Sequence, residues 1–169
     1  FSGQVLEILK SASQITVKLP AGACTINRSS GTRPLLFIAG GTGFAPCQVM
    51  IQSLFDVNDP RLISLYWGAN YATEFYLQDK LERWIQEQQN FTFIPVVATP
   101  GDGWTGEIGI VFEAVLRNIS QLSDYDIYLS GSSAMVVNIY HQLRENHVPA
   151  TQIFSDMLDI LKAKGELLL

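Results

Sequence analysis

From residue 35 onward, apolar runs of strand length alternate with stretches of helical period. The runs are Leu35–Ala39, Leu62–Trp67, Phe91–Ala98, Ile127–Ser130 and Gln152–Phe154, and the helical stretches are Pro46–Asp56, Glu74–Gln89, Phe112–Ile119 and Ala134–Asn146. In the second helical stretch Leu77, Leu81, Trp84 and Ile85 share one face, while Asp79, Lys80, Glu82, Arg83 and Glu87 fall largely elsewhere. Strand–helix alternation with short connections predicts a parallel sheet covered on both faces. Right-handed crossovers then favour an α/β fold, a doubly wound five-stranded parallel sheet of order 3-2-1-4-5 with helices on both faces.

The first thirty residues do not share this alternation. "SGQVLEILK" reads as a short helix, and "SQITVKLPAGACTI" as a strand, a Pro-Ala-Gly turn and a further extended piece. "NRSSGTRP" is polar, carries Gly and Pro, and reads as a linker. A chain opening on Phe1 reads as a fragment or processed product. Residues 1–27 are therefore expected to be the tail end of a preceding domain, 28–34 a linker, 35–161 the α/β domain and 162–169 a carboxyl-terminal extension.

Composition narrows the function classes. The 169 residues are 47% hydrophobic and 16% charged, a globular balance with length enough for one core. The net charge of −5 without a basic stripe weighs against nucleic acid as partner. No apolar run reaches the length of a membrane span, and the expected location is cytoplasmic. Cys24 and Cys47 form no CxxC pair and read as reduced, structural thiols. Two cysteines cannot hold an iron–sulfur cluster, which takes four thiolates. His141 and His147 read as structural, and no metal site is expected.

Candidate chemistry centres on "LLFIAGGTGFAPCQVMIQSL", Leu35–Leu54. Ligands of a doubly wound sheet bind past the carboxyl ends of the strands, where strand order reverses. The glycines Gly40, Gly41 and Gly43 stand at that edge, and Pro46 suits the first turn of the helix that follows. Helix N–H groups and a bare backbone make an anion site, to which Thr42 adds a hydroxyl. A pyrophosphate cradle and a tight turn without a ligand both fit this much. The spacing G-x-G-x-x-P departs from the G-x-G-x-x-G dinucleotide fingerprint and from a P-loop. The acid that ordinarily holds an adenosine ribose some twenty residues on is missing from its usual place.

"IAGGTGFAP", "LYWGANYATEFYLQDKLERW", "WTGEIG" and "DIYLSGSSAM", in this order and spacing, resemble the nicotinamide-nucleotide domain of the ferredoxin–NADP reductase superfamily. The resemblance runs from about Gln14 to Ile160 and is strongest to bacterial NAD(P)H:flavin oxidoreductases, the flavin reductases and oxygenase reductase modules. It implies that Gly41, Thr42, Gly43, Phe44, Ala45 and Pro46 cradle the cofactor pyrophosphate and approach the flavin–nicotinamide stack. It likewise assigns Gly68, Ala69 and Asn70 to the adenosine side, and Ser130, Gly131 and Ser132 to the nicotinamide. Asp156, in Phe154-Ser155-Asp156, falls beside the flavin, and with Ser130 is at most an orienting group in hydride transfer.

Two departures from the family pattern carry consequences. Ser130 stands where many relatives have cysteine. Asn70 stands where many NADPH users have arginine, so a 2′-phosphate would lose a charge-assisted contact of roughly 1.5–3 kcal/mol, and NADH is the expected donor. The family's flavin site, an R-x-Y-S/T block on an upstream barrel, is not in this sequence, so FAD or FMN is expected on a preceding flavin-binding domain. The implied function is hydride passage from NAD(P)H to flavin, then electrons to a flavin or protein acceptor. The alternative is a non-catalytic nucleotide-sensing or interaction module on the same fold, which an upstream R-x-Y-S/T block would exclude. An enzyme acting on mononucleotides or phosphorylated sugars would need an acid–base pair at the strand ends, and none is evident. Tyr66, Trp67, Trp104 and Met135 read as packing residues first and cofactor contacts second.

Overall fold

A computed structural model describes residues 2–16, 22–29 and 31–166. Among these residues, six strands make one sheet: β1 (Leu35–Gly40), β2 (Ile63–Ala69), β3 (Phe91–Val97), β4 (Glu107–Ile108), β5 (Asp126–Ser130) and β6 (Ile153–Phe154). Their order is β4-β3-β2-β1-β5-β6, and every neighbouring pair is parallel. The helices are α1 (Ser2–Ser11), α2 (Phe44–Asp56), α3 (Gln78–Glu87), α4 (Val111–Asn118), α5 (Ser133–Glu145) and α6 (Asp156–Ala163).

The central strand explains the layering. Leu35, Phe37 and Ala39 of β1 pack against α2 and α3, while Leu36 and Ile38 pack against α4, α5 and α6. All five are 0% exposed, as a strand covered on both faces requires. Phe37, Tyr128 and Phe154 lie in register on β1, β5 and β6 and stack at 4.9 Å each, tying three strands together on one face.

The doubly wound α/β reading holds, with one strand more than the expected five. The added β4 has two residues and lies at the sheet edge beside Val96 and Val97, too short to show a pattern of its own. The helical run after β1 also begins early. A 3-10 turn at Gly41–Gly43 leads straight into α2, so Pro46 is the third helical residue and not the first.

The predicted second helix loses its first turn. Ala72–Glu74 form a 3-10 turn, Leu77 takes φ 59, and α3 starts only at Gln78. A left-handed leucine cannot continue a right-handed helix. The buried stripe is correspondingly narrower: Leu81 and Trp84 are buried, whereas Leu77 and Ile85 are 48% and 50% exposed. The helix α6 had no counterpart in the expected elements, and it continues through Ala163.

Of the stretch expected to hold a strand and turn, residues 13–16 and 22–26 carry no strand, and residues 17–21 lie outside the described ones. Individual bonds anchor residues 24–27 instead. Asp156 Oδ1 accepts the Cys24 N–H at 3.0 Å, and the Tyr128 hydroxyl oxygen accepts the Asn27 N–H at 2.7 Å. Arg61 donates to the Asn27 carbonyl at 2.9 Å.

Candidate functional site

Strand order reverses at β1, since β2 lies on one side of it and β5 on the other. The crevice between the carboxyl ends of β1 and β5 is where such a sheet takes a ligand. The sequence places glycines there for two separate reasons. Gly41 has φ +52, a conformation that a side chain resists. Gly43 sits so close to the turn after β5 that a Cβ would meet the Ser130 carbonyl oxygen at 2.3 Å and the Gly131 nitrogen at 2.8 Å. The Gly-Thr-Gly turn and the Ser-Gly-Ser turn thus meet backbone against backbone.

Because a 3-10 turn begins at Gly41, the N–H groups of Gly41 and Thr42 have no earlier helical carbonyl to bond. The expected donors have moved from the Pro46 turn to the glycine turn itself. Trp67 Nε1 fixes the turn from beneath by donating to the Gly41 carbonyl at 2.8 Å. Phe44 stacks on Trp67 at 4.2 Å and is 0% exposed, so its side chain supports the turn from the core and offers no surface to a ligand. Thr42, Ala45 and Pro46 are exposed.

Two hollows flank this junction. One, about 240 Å³, has walls that include Gly41, Gly68, Asn70, Glu74, Ile110 and Met135. Met135 stands over the β1–β5 junction, its sulfur filling the space that a Cβ on Gly40 or Gly131 would need. Asn70 is fixed by its N–H, which donates to Glu74 Oε2 at 3.1 Å. The other hollow, about 150 Å³, is bounded by Pro46, Ser130, Gly131, Ser155, Asp156 and Cys24 among others. Larger hollows of about 510 and 370 Å³ lie along β4 and beside Arg28 and Arg61, away from the glycine turn.

The expected site residues therefore divide. Gly41, Gly68, Ala69 and Asn70 line the first hollow; Pro46, Ser130, Gly131 and Asp156 line the second. Ser132 caps α5, its Oγ accepting the Met135 N–H at 3.3 Å. Sequence reasoning did not single out Glu74 or the Trp67–Gly41 bond. Both depend on a contact between β2, or the turn after it, and a neighbouring backbone.

Electrostatics separates structural from reactive groups. Burial pushes the Cys47 thiol up to about 12, and burial with Asp156 nearby pushes Cys24 up to about 11. Protonated thiols are poor nucleophiles, in keeping with structural roles. His141 and His147 are exposed on and after α5, away from both hollows. Ser155 Oγ is buried and, among the described residues, has no hydrogen-bond partner. An orphan hydroxyl lining the second hollow is a polar group with capacity left for a bound molecule. Among the described residues, no group of three or more His, Cys, Asp or Glu could hold a metal ion. No helix among them is long and apolar enough to cross a membrane.

An open parallel sheet with a glycine turn at its switch point defines a nucleotide-binding α/β domain. Comparison with known proteins narrows the class. The family model described as "Oxidoreductase NAD-binding domain" matches residues 37–141. The CDP-6-deoxy-L-threo-D-glycero-4-hexulose-3-dehydrase reductase of Yersinia pestis is 33% identical over 156 residues, covering 92% of this chain and 46% of that protein. The NAD(P)H-flavin reductase of Aliivibrio fischeri is 34% identical over 161 residues, covering 92% of this chain and 67% of that protein. The chain thus spans less than half the length of the Yersinia relative. Among solved structures, an Amycolatopsis cytochrome P450 reductase matches with TM-score 0.74 at 22% identity, over 81% of this chain and 41% of that one. The cytochrome b5 reductase domain of Ulva prolifera nitrate reductase matches with TM-score 0.72 at 19% identity, over 88% and 62%. The chain belongs to the oxidoreductase NAD-binding domain family, within the ferredoxin–NADP reductase superfamily and of the flavin reductase type.

Proposed function

We propose that this chain is the nicotinamide-nucleotide half of a flavin-dependent reductase and that NADH is its preferred donor. One observation carries the reading: the backbone contact of Gly43 with Ser130 and Gly131, which joins the glycine turn to the Ser-Gly-Ser turn at the strand switch point. The N–H groups of Gly41 and Thr42 and the Thr42 hydroxyl would receive the pyrophosphate. Gly68, Ala69 and Asn70 would bound the adenosine, and Pro46 with Ser130–Ser132 the nicotinamide. The bare glycine surface and the orphan Ser155 hydroxyl fit such a guest.

When bound, the nicotinamide and a flavin held by an upstream domain supply the hydride donor and acceptor. This chain's residues position one ring against the other and exclude water. Ser130 would orient the nicotinamide by hydrogen bonding, and Asp156, already bonded to Cys24, would fix the floor of the flavin-facing hollow. No side chain need act as nucleophile or base. NADH is favoured over NADPH because, among the described residues, no Lys or Arg lines the adenosine hollow, and Asn70 cannot pair with a 2′-phosphate. The relatives' names pair one reductase with a flavin and another with a hexulose dehydrase. The final acceptor here is accordingly a flavin or a protein-bound centre, in the cytoplasm.

The test is the melting temperature of this chain with NADH, NADPH, FAD or FMN added separately at millimolar concentration. Ligand at a hundred times its dissociation constant adds about 2.7 kcal/mol, a shift of several degrees. A shift with NADH and none with the flavins supports the nucleotide half of a reductase. No shift with either nucleotide overturns it and returns the glycine joint to a plain turn.

A further inference from the structure

The chain has three methionines, and all three line the hollows that flank the glycine junction. Met50 and Met157 stand in the second hollow with Pro46 and Ser130; Met135 stands in the first with Gly41 and Asn70. Each is partly exposed. The sulfur of Met135 fills the space that a Cβ on Gly40 or Gly131 would need, so the thioether rests on bare backbone at the β1–β5 junction. Its N–H donates to Ser132 Oγ at 3.3 Å, which fixes where the side chain leaves α5. The side chain packs on the apolar cluster below and forms part of the hollow's wall.

We propose that Met135 is an oxidation site through which a hydroperoxide closes the nucleotide crevice. The inference rests on the nucleotide reading above and goes past it, since it gives that site an off state. A sulfur lone pair attacks one oxygen of hydrogen peroxide, and the O–O bond breaks as the S–O bond forms. The proton of the transferred oxygen passes to the departing hydroxide, giving water; sulfur loses two electrons and the peroxide gains them. Reduced flavin and dioxygen together yield this oxidant, so a flavin reductase turning over without its acceptor would make it beside these thioethers.

The product is polar and chiral where the thioether was apolar. Left among apolar side chains, the new oxygen would lack a partner, so it turns into the hollow. There it takes room from a nucleotide in a space of about 240 Å³. Cys24 and Cys47 are slower targets, because burial keeps both thiols protonated.

A methionine kept only as an adaptable filler fits the same packing, so the test must follow the oxidised side chain. The chain is treated with millimolar hydrogen peroxide, the peroxide is removed, oxidised residues are located by peptide mass, and NADH is titrated before and after. Met135 should gain one oxygen, and the NADH dissociation constant should rise about tenfold, as the loss of a contact of hydrogen-bond strength would give. Methionine sulfoxide reductases of both epimer specificities should restore the affinity, whereas dithiothreitol, which reverses only thiol oxidation, should not. In Met135→Leu the affinity, whatever its starting value, should survive the treatment. In the double variant Met50→Leu, Met157→Leu it should still fall.

A Met135 sulfoxide protein that binds NADH as before, or a Met135 that resists oxidation while Met50 and Met157 take it up, overturns the proposal. So does a loss of affinity that persists in Met135→Leu. In each case nucleotide binding stands and Met135 is a packing residue. If the untreated chain binds no NADH, the nucleotide reading falls and the proposal falls with it.

Discussion

Gly43→Ala probes the junction on which the site depends. The added methyl carbon would lie 2.3 Å from the Ser130 carbonyl oxygen, 2.6 Å from the Ser130 carbonyl carbon and 2.8 Å from the Gly131 nitrogen. Comfortable contacts begin near 3.5 Å, so the two turns must separate by about 1 Å. None of these atoms is the end of a flexible side chain, so relief requires backbone movement at β1, β5 or both. Overpacking of this kind costs about 1–3 kcal/mol. For a chain of this size that is a fall of roughly 2–12 °C in melting temperature. A shift of about 1 Å in positioning groups is also enough to cost on the order of a hundredfold in a reaction that depends on alignment. Melting curves and NADH titrations of Gly43→Ala should therefore both be impaired. Gly101→Ala, where nothing lies within 4 Å of the new methyl, is the control and should change neither. A Gly43→Ala protein with unaltered melting temperature and NADH affinity would refute the view that the glycine is kept for close approach.

Four further outcomes are expected. Thr42→Val should weaken NADH binding by about three- to tenfold, the loss of one hydrogen bond, with little change in melting temperature; titration beside a melting curve checks it. Asn70→Arg should raise affinity for NADPH relative to NADH, measured as the ratio of the two dissociation constants; an unmoved ratio would put the adenosine phosphate elsewhere. Trp67→Phe removes the donor to the Gly41 carbonyl and should cost about 1–3 kcal/mol in denaturant unfolding, with a loss of nucleotide affinity that a purely packing role would not produce. Hydrogen bonds from Arg61 hold the Asp59 carboxyl below its usual value. A depressed folded pKa gives stability that is complete above the unfolded value near about 3.9 and lost as pH falls through the folded one, so melting temperature should fall more steeply with acid in the native chain than in Arg61→Met.

The sheet was legible because its signal is redundant. Each of β1, β2, β3 and β5 is an apolar run bounded by polar turns, and four such runs leave few topologies. The elements that escaped had no comparable pattern. The two residues of β4 carry no period, and α3 could not be placed at its start because nothing in "FYLQDK" announces a leucine at φ 59. The candidate site was legible where the backbone needs glycine, as at Gly41 for its positive φ and at Gly43 for its close approach. It was not legible at Phe44, whose side chain turned out to be a 0% exposed support, because a motif cannot say which of its side chains face inward.

Three unusual features coincide at the glycine turn. Gly41 takes a positive φ, Gly43 touches backbone with no side chain between, and a wholly buried tryptophan spends its one polar atom on a turn carbonyl. Most other strand and helix sequences agree with the structure they adopt, as a foldable chain requires, with Asn58, Leu77 and His147 as left-handed exceptions away from the junction. A turn needed only to join β1 to α2 could be made with less: a capping Ser, Asp or Asn at the helix start, in place of glycines that cost stability. Glycine cost gathered at a strand switch point, with a Ser155 hydroxyl across the junction that has no partner among the described residues, supports the proposed nucleotide site. On the proposed reading the backbone is bare where phosphate would approach it, and the indole beneath holds the Gly41 carbonyl by a hydrogen bond of 2.8 Å.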